Sequence, residues 1–251
     1  TVAKGASRQL EIAGDLVTIS GIAKGSGMIH PNMATMLAYV ATDAAVEQEL
    51  LQRMVSDVVN RSFNRITVDG DTSTNDSFVV VATGQGTMPK LMDPDSESSI
   101  QFVQVLESLV IELAQKMVRD GEGATKFVTV QVDGAKNSQE ALDVAFTVSH
   151  SPLIKTALFA SDPNWGRILA AVGRAAVDGL EIESVTLWLD EVCIVEHGGR
   201  AAGYSEEQGQ KVMNQDEITI RIDLGRGVVS ERVWTTDLSH DYVTINAEYR
   251  T

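Results

Sequence analysis

Two stretches of this chain repeat their apolar residues at three- and four-residue spacing, and the sequence around them alternates instead. Leu50, Leu51, Met54, Val55, Val58, Val59 and Phe63 make one apolar stripe, and Phe102, Val103, Leu106, Leu109, Val110, Leu113 and Met117 make a second. Each predicts an amphipathic helix with one face to bury. The flanking segments predict strands. Glu11 to Ile22 alternates around Gly14-Asp15, a hairpin signal, and Met36 to Thr42 follows. Ile66 to Val68 starts another strand, and Ser77 to Thr83 carries Val79, Val80 and Val81. One-sided helices and half-buried strands must cover each other, which restricts the chain to layered α/β architectures.

The remaining segments extend this pattern. Asp93-Pro94-Asp95-Ser96 opens the second helix and Asp120-Gly121 closes it. Phe127 to Val132 predicts a strand and Ser138 to Val148 a helix. Ser151-Pro152 marks an expected domain boundary, giving domains over 1–150 and 151–251. Beyond it we expect a helix over Gly166 to Ala176 and two strands within Ser184 to Val195. A hairpin of Glu217–Leu224 and Val228–Thr235 follows around Gly225-Arg226-Gly227, and Tyr242 to Ala247 closes as a strand. Strands and helices do not alternate as regular βαβ units, so the expected class is α/β of the α+β type, with layered, mostly antiparallel sheets flanked by helices.

Bulk properties exclude several functions. With 251 residues, 43% apolar and 22% charged, the chain has globular composition and enough length for a substantial core. No apolar run approaches the roughly 18 residues that would cross a bilayer. No basic start followed by an apolar stretch marks a secretory signal. Twenty basic against thirty-five acidic side chains give a net charge of −15, which disfavours nucleic acid and anionic membrane as partners. An acidic substrate must then be held by a few local cations and backbone donors. Cys193 is the only cysteine, so an internal disulfide and a thiolate metal cluster are excluded. It lies in a strand-like segment as an expected buried structural thiol.

Chemistry concentrates in Lys24-Gly25-Ser26-Gly27-Met28-Ile29-His30-Pro31-Asn32-Met33-Ala34-Thr35. Glycines and a His30-Pro31-Asn32 turn lead to a hydroxyl residue that begins an apolar run. Cutting the Ala34–Thr35 bond would give Thr35 a free α-amine beside its own hydroxyl, a nucleophile and its base in one residue. The glycine pairs here and at Gly84-Gln85-Gly86 fit neither the P-loop nor the dinucleotide pattern. Asp69 to Asp76 lacks the glycine and glutamate of a calcium loop, leaving either a self-bonded turn or the wall of a site. Glu122, between Gly121 and Gly123, reads as a helix-end carboxylate or as a partner for a substrate ammonium. Ser161 to Arg167 reads as a helix opening in which Asp162 or Asn164 caps and Trp165 anchors the domain junction. The four histidines show no metal spacing, so no metal site is expected.

Five segments taken in order, Lys24 to Asp43, Asp69 to Ser77, Asp120 to Lys126, Ser161 to Arg167 and the terminal Asn246-Ala247-Glu248-Tyr249-Arg250-Thr251, closely resemble the ornithine acetyltransferase (glutamate N-acetyltransferase) family of arginine biosynthesis. The resemblance runs through essentially the whole chain. It implies an N-terminal-nucleophile-like sandwich with a smaller C-terminal α/β domain, and a precursor that cleaves itself between Ala34 and Thr35. Thr35 is then the catalytic residue, and Lys24, Thr35, Glu122, Asn246 and Thr251 bind substrate. Lys24 with the Asn246/Thr251 end is expected to grip a carboxylate, and Glu122 the ornithine ammonium. The substrates implied are N-acetylornithine and glutamate, without a cofactor, and acetyl-CoA is left open as a second donor.

The family's oxyanion donors, a Thr-Gly pair further upstream, have no counterpart in the chain. The resemblance therefore implies an upstream segment or chain as a partner, and a heterotetramer of two cleaved pairs. It further implies a cytoplasmic enzyme, with an organellar targeting sequence upstream of Thr1 left open. Two rival functions stand beside it: an N-terminal-nucleophile amidohydrolase or aminopeptidase that passes the acyl group to water, and a non-catalytic acidic binding domain that never cleaves.

Overall fold

The computed structural model describes residues 2–30, 36–72 and 75–248. By contact the chain divides into two units, Thr1–Asp120 and Gly121–Thr251.

The first unit begins with a hairpin of β1 (Lys4–Ile12) and β2 (Asp15–Lys24). These strands are longer than the alternation alone suggested. Ala13 and Gly14 between them both take positive φ, 54° and 87°, as a two-residue hairpin turn with matching twist requires. Next come β3 (Leu37–Thr42), α1 (Gln48–Arg61), β4 (Ser77–Ala82) and α2 (Glu97–Arg119). The strands form one sheet in the order β1-β2-β3-β4, antiparallel except for the parallel β3–β4 pair. That pair needs a crossover, and α1 lies on it.

The two apolar stripes read from the sequence face inward. Leu50, Met54 and Val58 of α1 are buried, as are Phe102, Leu106, Leu109, Val110, Leu113 and Met117 of α2. Glu47 and Ser96 cap the helices, accepting the N–H groups of Leu50 and Ser99 at 2.9 and 3.3 Å. The expected strand at Ile66–Val68 is absent. These residues are buried but follow a tight turn over Phe63–Arg65, and the Val68 N–H bonds the Ile29 carbonyl at 2.7 Å. At the far end, buried Lys4 pairs with Asp120, which also accepts the Val2 N–H, tying the start of β1 to the end of α2.

The second unit holds β5 (Phe127–Ala135), α3 (Ser138–Ser149), α4 (Pro152–Phe159), α5 (Trp165–Gly173), β6 (Thr186–Leu189), β7 (Val192–Glu196), β8 (Gly199–Arg200), α6 (Glu206–Met213), β9 (Glu217–Asp223), β10 (Val229–Thr236) and α7 (His240–Glu248). Its sheet runs β10-β5-β9-β6-β7-β8, with only β5–β9 parallel. Both units thus show the mixed α/β class with mostly antiparallel sheets and helices.

Four expectations change here. Ser151-Pro152 falls inside this unit: Pro152 opens α4, where its missing N–H costs nothing, and Ile154 and Leu158 join the unit's core. Trp165 likewise packs against this core, so it anchors the unit rather than a junction. Strands β9 and β10 are not a hairpin, because β5 lies between them. The connecting loop instead passes over the end of β5, where the Arg226 and Gly227 N–H groups both donate to the Gly134 carbonyl at 2.7 Å. A Cβ on Gly227 would run into the Ala135 carbonyl, so glycine permits this crossing. Finally, Tyr242–Ala247 is helical. Ser239 Oγ accepts the Tyr242 N–H at 3.3 Å, the contact of a helix N-cap, and Thr244 and Asn246 donate to the carbonyls of His240 and Tyr242. Two helices, α4 and α6, were missed. The second carries a full capping box between Ser205 and Gln208.

No described helix is long and apolar enough to cross a membrane.

Candidate functional site

The expected site residues fall into both units. Ala34, Thr35 and Thr251 lie outside the described residues, as do the other residues of 31–35. Lys24 is the last residue of β2, opposite Leu37, the first of β3. It is exposed, and no described carboxylate pairs with it. Lys24 shares the outward face of the sheet with Ile22, Tyr39 and Val79, which stand in one register row at 62%, 48% and 37% exposure. An ammonium beside an apolar surface suits a carboxylate better than one in open water, because less screening intervenes.

The Asp69–Asp76 loop bonds within itself, the Asp71 N–H donating to Asp69 at 3.3 Å, and also to the chain around residues 28–36. Asp69 accepts the Met28 and Ile29 N–H groups at 2.7 and 3.0 Å. Asp76 Oδ1 accepts the Met36 N–H, and the Ser77 N–H donates to the Met36 carbonyl at 3.0 Å. Two carboxylates of one loop therefore grip the chain on both sides of residues 31–35. Met28 takes a positive φ of 54° and Ile29 is fully buried, so the upstream approach is fixed as well. Burial lowers the His30 pKa and outweighs the opposing effects of the Gly70 backbone and Asp69. Burial pushes the Asp76 carboxyl up, and its bond to the Met36 N–H only partly offsets this.

In the second unit Glu122 and Asn246 meet, although 124 positions separate them. Asn246 Nδ2 donates to Glu122 Oε2 at 3.0 Å and to the Tyr242 carbonyl at 3.0 Å. Both amide hydrogens are used, so Asn246 presents only its carbonyl oxygen, next to a carboxylate. The expectation that Asn246 grips a carboxylate requires a free N–H, which this conformation does not offer.

The frame that joins these two residues was not foreseen. Buried Asp237 accepts the Thr125 N–H and hydroxyl at 2.8 and 2.5 Å and the Lys126 N–H at 3.0 Å. Ser239 Oγ donates to the Gly123 carbonyl at 2.6 Å while accepting the Tyr242 N–H. Gly123, at φ 66°, lets the two segments touch: a Cβ there would lie 2.5 Å from the Tyr242 nitrogen and 2.7 Å from Ser239 Oγ. The sequence signal for Ser239 was its cap position. Asp237 carried none, because its partners are more than a hundred residues away.

The other motifs are architectural. Asn164, not Asp162, caps α5, accepting the Arg167 N–H at 3.2 Å, and Asp162 accepts from the Asn164 amide. Cys193 is half-buried on β7, and burial, with Glu196 nearby, raises its pKa, so the thiol is poorly nucleophilic.

Comparison with known proteins adds to this geometry. The sequence pattern of the ArgJ family matches residues 1–251. The chain is 60% identical over 251 residues to the arginine biosynthesis bifunctional protein ArgJ of Pseudomonas fluorescens, covering 100% of this chain and 62% of that protein. It is 59% identical to the protein of the same name from Pseudomonas syringae pv. tomato, with the same coverage. The chain thus spans 62% of the length of the curated relatives it matches. The crystal structure of the arginine biosynthesis bifunctional protein ArgJ from Bacillus halodurans superposes with a TM-score of 0.80 at 38% identity, covering 84% of this chain and 98% of that one.

Proposed function

This chain belongs to the ArgJ family, and from that premise we propose that it carries the nucleophile of an acetyltransferase that moves acetyl from N-acetylornithine to glutamate. The observation that carries the reading within this chain is the Glu122–Asn246 contact at 3.0 Å. A carboxylate oxygen and an amide oxygen presented together form an acceptor pair suited to an alkylammonium, the group that distinguishes ornithine from most acyl donors. Lys24, exposed and beside an apolar surface, suits the substrate carboxylate. In this reading Asn246 serves the ammonium rather than the carboxylate.

The chemistry begins in the precursor. Thr35 Oγ attacks the Ala34 carbonyl, the peptide C–N bond breaks with proton transfer to nitrogen, and water hydrolyses the resulting ester. The products are an Ala34 carboxylate and a free Thr35 α-amine. Such an amine titrates near about 7.7–8.0, so part of it is neutral base at physiological pH. Thr35 Oγ then takes acetyl from N-acetylornithine, releasing ornithine, and the glutamate amine attacks the acetyl ester to give N-acetylglutamate. The cycle is ping-pong.

Oxyanion donors come, in this proposal, from the segment by which the relatives exceed this chain. The outward apolar face of the first unit's sheet, with Ile22, Tyr39, Val79 and Val81, is a surface for such a segment to cover.

The test uses the full-length protein. Thr35→Ala is expected to abolish both cleavage, read by intact mass, and transfer from N-acetylornithine to glutamate. Retained cleavage in that variant refutes the assignment. Hydrolysis of N-acetylornithine that glutamate leaves unchanged would favour an amidohydrolase, and transfer from acetyl-CoA to glutamate, measured separately, decides whether a second donor is used.

A further inference from the structure

Helix α7 (His240–Glu248) has nine residues, and none of them is buried. An isolated helix shorter than about 12–15 residues is marginal in water, and helices in proteins are held chiefly by an apolar face packed on the core. Here Val243 and Ile245 stand 59% and 41% exposed instead. The run Val243-Thr244-Ile245-Asn246 adds three β-branched residues and an asparagine, all weak helix formers.

The contacts that hold α7 are uneven along its length. Its first turn is fixed: Ser239 Oγ bridges the Gly123 carbonyl and the Tyr242 N–H, and the His240 ring packs edge-on against Phe159 with centroids 5.4 Å apart. Beyond that turn, Thr244 bonds back to the His240 carbonyl inside the helix. Among the described residues, the hydrogen bond that ties this far half to another segment is Asn246 Nδ2 to Glu122 Oε2 at 3.0 Å. That tie brings a charge of the wrong sign. The negative end of a helix dipole disfavours a carboxylate, and the last turn of α7 holds no basic side chain to offset Glu122.

An alkylammonium placed on Glu122 removes both weaknesses. It neutralises the carboxylate near the helix C-terminus, and it takes a second acceptor from Asn246 Oδ1, which stands beside Glu122 only while the far half of α7 is helical. We propose that residues 243–248 form a strap that opens and closes in the ligand-free protein and that an alkylammonium substrate holds closed. The inference rests on the reading above that Glu122 receives the ornithine ammonium. It makes that ammonium, rather than the acetyl group or the glutamate carboxylate, the signal that orders α7.

Hydrogen exchange and a helix-propensity pair test this in the full-length protein. The probe is ornithine, and the control is norvaline, the same carbon chain without the side-chain amine. A ligand at about 100 times its Kd can slow exchange through an opening it does not bind by about a hundredfold. We expect the amides of Thr244 to Glu248 to slow about tenfold or more with ornithine and less than about twofold with norvaline or glutamate. Glu122→Gln should remove the effect. Val243 faces solvent outside the binding machinery, so changes there act through helix propensity, in which alanine and glycine differ by about fivefold. Val243→Gly should therefore bind ornithine about two- to fivefold more weakly than Val243→Ala, while the two bind glutamate alike.

Ornithine that binds and leaves α7 exchange unchanged overturns the strap and leaves the acetyltransferase reading standing. Equal ornithine affinity of the two Val243 variants does the same, as do amides at 244–248 that are as protected without ligand as those of α2. Slowing by norvaline equal to that by ornithine, or slowing that persists in Glu122→Gln, overturns the ammonium as the signal. Should a Val243 variant fail to fold, the wild-type exchange decides alone. A full-length protein that does not bind ornithine overturns the reading and the strap together.

Discussion

Replacing Gly123 by alanine tests whether the backbone contact beneath Glu122 and Asn246 holds them together. Gly123 sits at φ 66°, where an L side chain costs about 1–2 kcal/mol. The added Cβ would also lie 2.5 Å from the Tyr242 nitrogen, 2.7 Å from Ser239 Oγ and 3.1 Å from the Asp241 carbonyl carbon. Two of these are backbone atoms, which cannot rotate away, so the start of α7 must move. That movement breaks the 2.6 Å bond from Ser239 to the Gly123 carbonyl and the Ser239 cap on Tyr242, each contributing about 1 kcal/mol. The expected loss is therefore about 3–4 kcal/mol.

Gly179→Ala supplies the control. It lies in the same unit with φ 63°, but its Cβ would meet nothing within 4 Å, so only the backbone term of about 1–2 kcal/mol applies. Urea unfolding of the two variants isolates the clash as their difference, about 2 kcal/mol. Activity should separate them further, with Gly123→Ala raising the KM for N-acetylornithine and Gly179→Ala leaving it unchanged. Equal destabilisation by the two substitutions would refute the claim that close approach at Gly123 holds Glu122 and Asn246 together.

Two further outcomes follow from ionisable groups in the second unit. Burial alone would raise the pKa of Asp133, but hydrogen bonds from Ser230, Arg221 and Gln131 outweigh it and hold the carboxyl below its ordinary value. Its contribution to stability is thus present above the unfolded value of about 3.9 and is lost as pH falls through the lower, folded one. Asp133→Asn should flatten the acid limb of a stability–pH curve below about pH 4 and change little at pH 7 to 8 beyond a constant offset. Arg226 and Glu140 form a charge pair at 2.8 Å, each side chain 9% exposed, without the alignment of a hydrogen bond. Arg226 also donates to the carbonyls of Asp178 and Gly179. Arg226→Met should cost about 3–5 kcal/mol by stranding Glu140, and adding Glu140→Leu should recover much of that, both read by urea unfolding.

What the chain's sequence settles and what it leaves to the fold divide along a physical line. Where the signal was local, it held. The stripes at Leu50–Phe63 and Phe102–Met117 face inward because periodicity at helical spacing is itself the record of a buried face. The hairpin expected around Gly14-Asp15 formed, with its turn one residue earlier at Ala13-Gly14, since the turn and its flanking strands are neighbours in sequence. Lys24 and Glu122 were legible as chemical possibilities in the same way, each set off by glycines. Where the outcome depended on distant partners, sequence alone misled. Gly225-Arg226-Gly227 looked like a hairpin turn because nothing nearby discloses that β5 lies between the strands it joins. Tyr242–Ala247 alternates like a strand, yet a strand needs an edge to pair with, and Ser239 offers a helix cap at once. Tertiary structure also decided that Asp69 and Asp76 bind the backbone before and after residues 31–35, and that Asn246 turns its amide hydrogens onto Glu122 and Tyr242. Residue types and spacing fixed the chemistry the chain can offer, while long-range hydrogen bonds set which of those groups face one another.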